Sequence, residues 1–193
     1  MTTRVPFNLV HLAKSTLKKR LLAYFFTNPE SQLYLREIAN LINVDPTNLS
    51  RTLRDFEAEG VFISVKRGNQ KYFSLNRKYP LFEELKSTIF KTVGVSGTLR
   101  TLFKKLPGIK RAFIYGSFAK NSERASSDID LCLIIKKSEF KEEALLKELH
   151  ALEKQLGREV SYIFFSEQEW NKNVTEKDSF REGILKGKRV ELV

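Results

Sequence analysis

GSFAKNSERASSDIDL, residues 116–131, decides the reading of the C-terminal half of this chain. Its Gly-Ser pair closes one apolar run, Ile109–Tyr115, and its aspartates open another, Leu131–Ile135. Glycine and a small hydroxyl on a tight turn let backbone N–H groups approach phosphate oxygens closely. Asp128 and Asp130 are separated by one residue, so on a strand they point to one face. Two carboxylates on one face repel each other unless a cation lies between them, and hard oxygen donors suit Mg²⁺. A phosphate-gripping turn beside a carboxylate pair that holds a divalent metal is equipment for handling a nucleotide.

These residues resemble the minimal nucleotidyltransferase domain of the DNA polymerase β superfamily. Its pattern is Gly-Ser, a later Gly, then Ser-Asp-x-Asp-Leu. Gly116, Ser117, Ala119, Arg124, Ser127, Asp128, Asp130 and Leu131 fall in register with it. The resemblance implies a bound nucleoside triphosphate, with ATP the first candidate, together with Mg²⁺. In that reading Asp128 and Asp130 are metal ligands and catalytic carboxylates. Gly116 and Ser117 hold the β- and γ-phosphates, and Lys120, Arg124 and Ser127 complete the nucleotide site.

Two departures from the pattern matter. Asn121 stands where the family usually has glycine, and asparagine tolerates left-handed backbone geometry better than other non-glycine residues. Active members also carry a third carboxylate on the following strand, which here reads as Glu159–Phe165. That position falls on Ser161, while Glu159 lies two residues earlier on the same face of a regular strand. A serine is a poor metal ligand and no general base at neutral pH without help. Catalysis therefore depends on whether Glu159 fills the role vacated by Ser161.

The whole chain bounds the remaining choices. Its 193 residues suffice for one large domain or two small ones, and 41% hydrophobic content with fifteen Phe can build cores. No apolar stretch reaches the length of a membrane span, and Met1–Asn8 is too polar and short to predict a signal peptide. Cys132 is the only cysteine, which excludes an intramolecular disulfide. His11 and His150 are the only histidines, too few for a His/Cys zinc site. A soluble cytoplasmic protein with no membrane partner is expected. The net charge of +11 favours an anionic partner, nucleic acid before nucleotide. The excess is uneven: residues 1–79 hold thirteen Lys/Arg against six Asp/Glu.

That basic N-terminal part has its own pattern. KSTLKKRLLAYFF, residues 14–26, carries Leu17, Leu21, Tyr24 and Phe25 at helical spacing, and Thr27–Asn28–Pro29 stops it. Leu35, Ile38, Ala39 and Ile42 mark a second helix. Asp45 is a suitable N-cap and Pro46 a suitable first residue for a third, running to about Glu59 with Leu49, Leu53 and Phe56 inward. Val61–Val65 and Lys71–Leu75 read as strands joined at Arg67–Gln70. This order resembles a winged helix-turn-helix, and residues 34–63 look like the pattern of prokaryotic winged-helix repressors. Thr47, Asn48, Ser50, Arg51 and Arg54 then face outward, where Arg reads guanine and Asn reads adenine in the major groove of double-stranded DNA. Lys66, Arg67 and Lys71 on the wing would meet phosphates or the minor groove.

The remainder completes an α/β (α+β) chain. A winged-helix domain at 1–76 and a linking helix at 77–97 precede a nucleotidyltransferase-fold mixed sheet flanked by helices at 98–193. Expected helices cover Leu81–Lys91, Thr98–Leu106, Ser138–Leu156, Ser166–Asn171 and Ser179–Lys186, and Arg189–Val193 adds a last strand. Three functions stay open. The chain is a DNA-binding regulator that binds a triphosphate with Mg²⁺ and turns it over weakly or not at all. Alternatively it is a transferase of nucleoside monophosphate to a protein, an RNA or a small molecule. Minimal transferases resembling it often partner a helical toxin. Or it is a pure DNA-binding protein whose transferase domain serves dimerisation. A homodimer is the default assembly.

Overall fold

The computed structural model describes residues 15–172 and 179–193. Lys14, the expected start of the first helix, and the segment Met1–Asn8 lie outside the described residues. The chain forms two compact units, one of residues up to Val95 with Gln155–Gly157, the other of Ser96–Lys154 and Arg158–Val193.

In the first unit, α1 (Thr16–Thr27) starts at Ser15, whose hydroxyl accepts the Lys18 N–H at 3.3 Å. It buries Leu21, Leu22, Phe25 and Phe26. A two-residue strand, β1 (Leu33–Tyr34), leads directly into α2 (Leu35–Ile42). That helix ends at Asn43, whose backbone is left-handed (φ 50°). In α3 (Pro46–Ala58), Asp45 caps the first turn by accepting the N–H groups of Thr47 at 2.9 Å and Asn48 at 3.1 Å. Leu49, Leu53 and Phe56 of α3 are fully buried. The hairpin of β2 (Phe62–Arg67) and β3 (Gln70–Leu75) pairs Arg67 with Gln70, so its tip is Gly68–Asn69 and both strands are longer than the sequence predicts. The sheet order is β1-β3-β2, antiparallel throughout. Helix α4 (Phe82–Thr92) contributes Leu85 and Ile89 to the same core as α1, α2 and α3. Three helices followed by a hairpin with a short third strand make a winged helix.

In the second unit, α5 (Val95–Phe103) precedes β4 (Ile109–Tyr115), α6 (Gly116–Lys120), β5 (Ile129–Ile135) and α7 (Glu142–Leu156). Then come β6 (Val160–Ser166), α8 (Glu167–Asn171), α9 (Ser179–Lys186) and β7 (Val190–Glu191). The sheet order is β6-β5-β4-β7, with β5 and β6 parallel and the other pairs antiparallel. The sheet is therefore mixed, as the sequence predicts. The α7 helix begins at Glu142 and not at Ser138. The Lys136 carbonyl accepts the N–H groups of Glu139 and Phe140, which commits that segment to a turn. Leu145, Leu149, Leu152 and Leu156 form the buried face of α7. Phe113, Cys132 and Ile134 pack on the sheet with Ile184 and Trp170.

Candidate functional site

The antiparallel register of β4 and β5 sets Tyr115 opposite Asp130. At Gly116 the chain turns with φ +69° straight into α6. A Cβ at Gly116 would lie 2.1 Å from Asp130 Oδ2 and 3.0 Å from its Cγ. Only glycine meets both demands, the left-handed φ and the carboxylate against the backbone. The short α6 buries Phe118 and Ala119, leaves Lys120 exposed and ends at Asn121, left-handed at φ 55°. Asparagine thus occupies the backbone conformation expected of the glycine it replaces.

The loop after Asn121 carries the rest of the expected site. The Ser127 hydroxyl accepts the Arg124 N–H at 2.9 Å, and the Ser127 N–H donates to the Arg124 carbonyl at 3.1 Å. Ser127 therefore shapes the loop, while the Arg124 and Asp128 side chains are exposed. Burial, and then the charge of Asp128, hold the Asp130 carboxyl above its ordinary range. Burial likewise raises the Tyr115 phenol, with the Asp130 charge adding to it. Asp128 and Asp130 thus feel each other, and a cation between them would relieve both the repulsion and the burial cost.

Ser161 sits beside Asp130 in the parallel register of β5 and β6. Glu159 is exposed just before β6, and its carbonyl accepts the Ile129 N–H at 2.9 Å. Among the described residues no three His, Cys, Asp or Glu side chains come together to hold a metal, so Glu159 does not complete a triad with the aspartates.

Arg158 was not among the residues the sequence singled out. It is 7% exposed, and its Nη1 donates to the carbonyls of Arg124 at 2.9 Å, Ser127 at 3.1 Å and Ala125. Its guanidinium lies 5.9 Å from the Phe118 ring centroid. The acceptors are more than thirty residues away in sequence, so no local spacing announces the contact.

In the winged helix, Thr47, Asn48, Arg51 and Arg54 are exposed on α3 and Ser50 is half-buried. Lys66 is exposed on β2. The other two wing cations are engaged within the unit. Arg67 donates to Gln32 Oε1 at 2.5 Å and lies over the Tyr72 ring. Lys71 pairs with Glu57 of α3 at 2.7 Å and lies over the Phe73 ring. Lys71 and the Ser64 hydroxyl together hold the Glu57 carboxyl below its ordinary range. A cleft of about 460 Å³ brings Ser50 and Lys71 together with Tyr34, Arg36, Asn69 and Gln70. Arg36 is the basic residue of this cleft that the α3-and-wing pattern omits.

The model of the family described as polymerase beta, nucleotidyltransferase matches residues 98–185. That stretch runs from within α5 into α9 and carries the Gly116–Asp130 site, so the second unit is a nucleotidyltransferase-fold domain. No curated protein matches the chain. Among solved structures, a toxin-antitoxin complex with AMP-PNP is 13% identical, over 51% of this chain and 72% of that one, with TM-score 0.38. A mutant of S. aureus MepR bound to an oligodeoxyribonucleotide is 19% identical, over 51% and 70%, with TM-score 0.36. A mutant of Lactococcus lactis ZitR in apo form is 20% identical, over 51% and 74%, with TM-score 0.34. Among the described residues, no helix is long and apolar enough to cross a membrane.

Proposed function

We propose that this chain is a DNA-binding regulator whose nucleotidyltransferase-fold unit binds a nucleoside triphosphate with Mg²⁺ and transfers its nucleoside monophosphate, with release of pyrophosphate, poorly or not at all. The observation that carries this reading is the contact of Gly116 with the Asp130 carboxylate, with Ser161 beside it where a third carboxylate would stand. The donor set fits a magnesium ion that arrives with its nucleotide. Mg²⁺ takes one or two protein carboxylates and fills its other positions with water and phosphate oxygens. Bound there, it would neutralise the triphosphate charge.

The chain's own residues would do the rest. Asp128 and Asp130 would hold the metal, and the Gly116 turn keeps the Asp130 carboxylate at the foot of the site. Ser117, Lys120 and Arg124 would meet phosphate oxygens. Ser161 cannot take a proton from an acceptor hydroxyl at neutral pH. The exposed polar face of α3 and the exposed Lys66 of β2 support the DNA half of the reading.

The test is incubation with α-labelled ATP and Mg²⁺, alone and with duplex DNA or RNA. The reading expects retained, exchangeable nucleotide and at most a trace of covalent label, well below one label per chain. Label transferred to RNA, to the chain itself or to a co-purifying protein would establish the transferase instead.

A further inference from the structure

Three backbone carbonyls from one four-residue stretch converge on a single nitrogen of Arg158. A guanidinium taken out of water is tolerated only where its donors find acceptors, and the loop supplies them to Nη1. All described peptide bonds are trans, and in a trans peptide the N–H points opposite to the carbonyl that precedes it. With the carbonyls of Arg124, Ala125 and Ser127 turned toward Arg158, the N–H groups of Ala125, Ser126 and Asp128 are directed away from it. Ala125, Ser126 and Asp128 are themselves exposed residues. Successive N–H groups aimed outward form a cradle for an anion.

We infer that Arg158 is a positioning residue: it locks loop 124–128 so that the outward N–H groups of Ala125, Ser126 and Asp128 seat phosphate oxygens of a polyphosphate beside Asp128. The Phe118 contact ties the same guanidinium to α6, which begins with Gly116 and Ser117. One side chain thus holds the phosphate turn and the aspartate loop in fixed relation. The inference rests on the nucleotide-binding reading for its ligand, but the locking of the loop does not.

Two variants test it. Arg158→Lys keeps the charge and loses the planar fork, and Arg158→Gln keeps donors and loses the charge. Amide hydrogen exchange is followed through residues 121–130 and through β4 and β5, with and without Mg²⁺–ATP, and ATP affinity is measured by titration calorimetry. The expected result for Arg158→Lys is loop exchange about tenfold faster and Mg²⁺–ATP affinity about tenfold weaker, the size typical of losing a group that orients a metal ligand. Exchange in β4 and β5 should stay unchanged. Unaltered loop exchange in both variants overturns the inference, as does wild-type ATP affinity in both. Exchange that accelerates equally across β4 and β5 also overturns it, since Arg158 would then serve general stability. If the wild type binds no ATP, the proposed function fails, and loop exchange alone decides whether Arg158 locks the loop.

Discussion

Replacing Gly116 by alanine attacks the nucleotide site at its tightest point. The new Cβ would stand 2.1 Å from Asp130 Oδ2, where ordinary van der Waals contact begins at 3.4 Å. The carboxylate must therefore retreat by more than an ångström, or the β4–α6 turn must open. The backbone adds its own cost, because φ +69° is unfavourable for any residue with a Cβ, by about 1–2 kcal/mol. If the Asp130 side chain yields, that strain is the main loss, and the transition should fall by roughly 4–8 °C per kcal/mol in a unit of this size. Mg²⁺–ATP affinity should fall by at least about tenfold, since a misplaced carboxylate no longer shares the metal with Asp128.

Thermal unfolding and titration calorimetry read the two effects separately, and a double-mutant cycle sharpens them. In an Asp130→Ala background there is no carboxylate to displace, so Gly116→Ala should cost only the backbone term. Unchanged stability and unchanged ATP affinity in Gly116→Ala would refute the assignment of this contact. Equal stability costs in both backgrounds would show that the Asp130 side chain yields freely, and the lost ATP affinity of Gly116→Ala would then be the sign of the contact.

Further outcomes are expected elsewhere. Asp130 is held protonated above its usual range by burial and by Asp128, so the folded state binds its proton more tightly than the unfolded state. Stability from this group is present at low pH and is lost as pH rises through the raised value. Metal-free Asp130→Asn should therefore be more stable than wild type at neutral pH and equal to it below the carboxylate range, as thermal melts against pH would show. Arg51→Ala with Arg54→Ala should weaken binding to a mixed-sequence duplex and reduce the log–log salt slope by about two if both meet phosphate. An unchanged slope removes them from the backbone contact. Glu57→Gln should release Lys71 from its ion pair, raising duplex affinity and steepening the slope by about one. Weaker binding would mean that the pair positions the wing and does not compete with DNA.

What could be read from the sequence divides along the range of the interactions. Asp45–Pro46 announces the start of α3 because a cap and a proline act within one turn. Gly116 and Asn121 announce themselves because left-handed backbone selects residue type locally. The two-residue β1 is too short to show alternation, and it exists because Leu33 and Tyr34 find partners at Phe73 and Tyr72. The α7 start is misread at Ser138 because a good capping residue was available, while a turn closed on the Lys136 carbonyl prevails. The engagement of Lys71 by Glu57 crosses from β3 to α3, and Arg158, which follows α7, reaches the loop that precedes β5. Both alter a functional expectation, and neither leaves a local trace. Ser161 is the opposite case: the resemblance to the nucleotidyltransferase pattern puts it at the third-carboxylate position, and the β5–β6 register sets it beside Asp130.

The most direct test of the central claim is calorimetric titration of the intact chain with ATP, with and without Mg²⁺, beside the Asp128→Asn, Asp130→Asn double variant. The account predicts binding that requires Mg²⁺ and is lost in the double variant while the fold is retained. Binding that ignores Mg²⁺, survives both substitutions, or is absent from the wild type at millimolar nucleotide would contradict it.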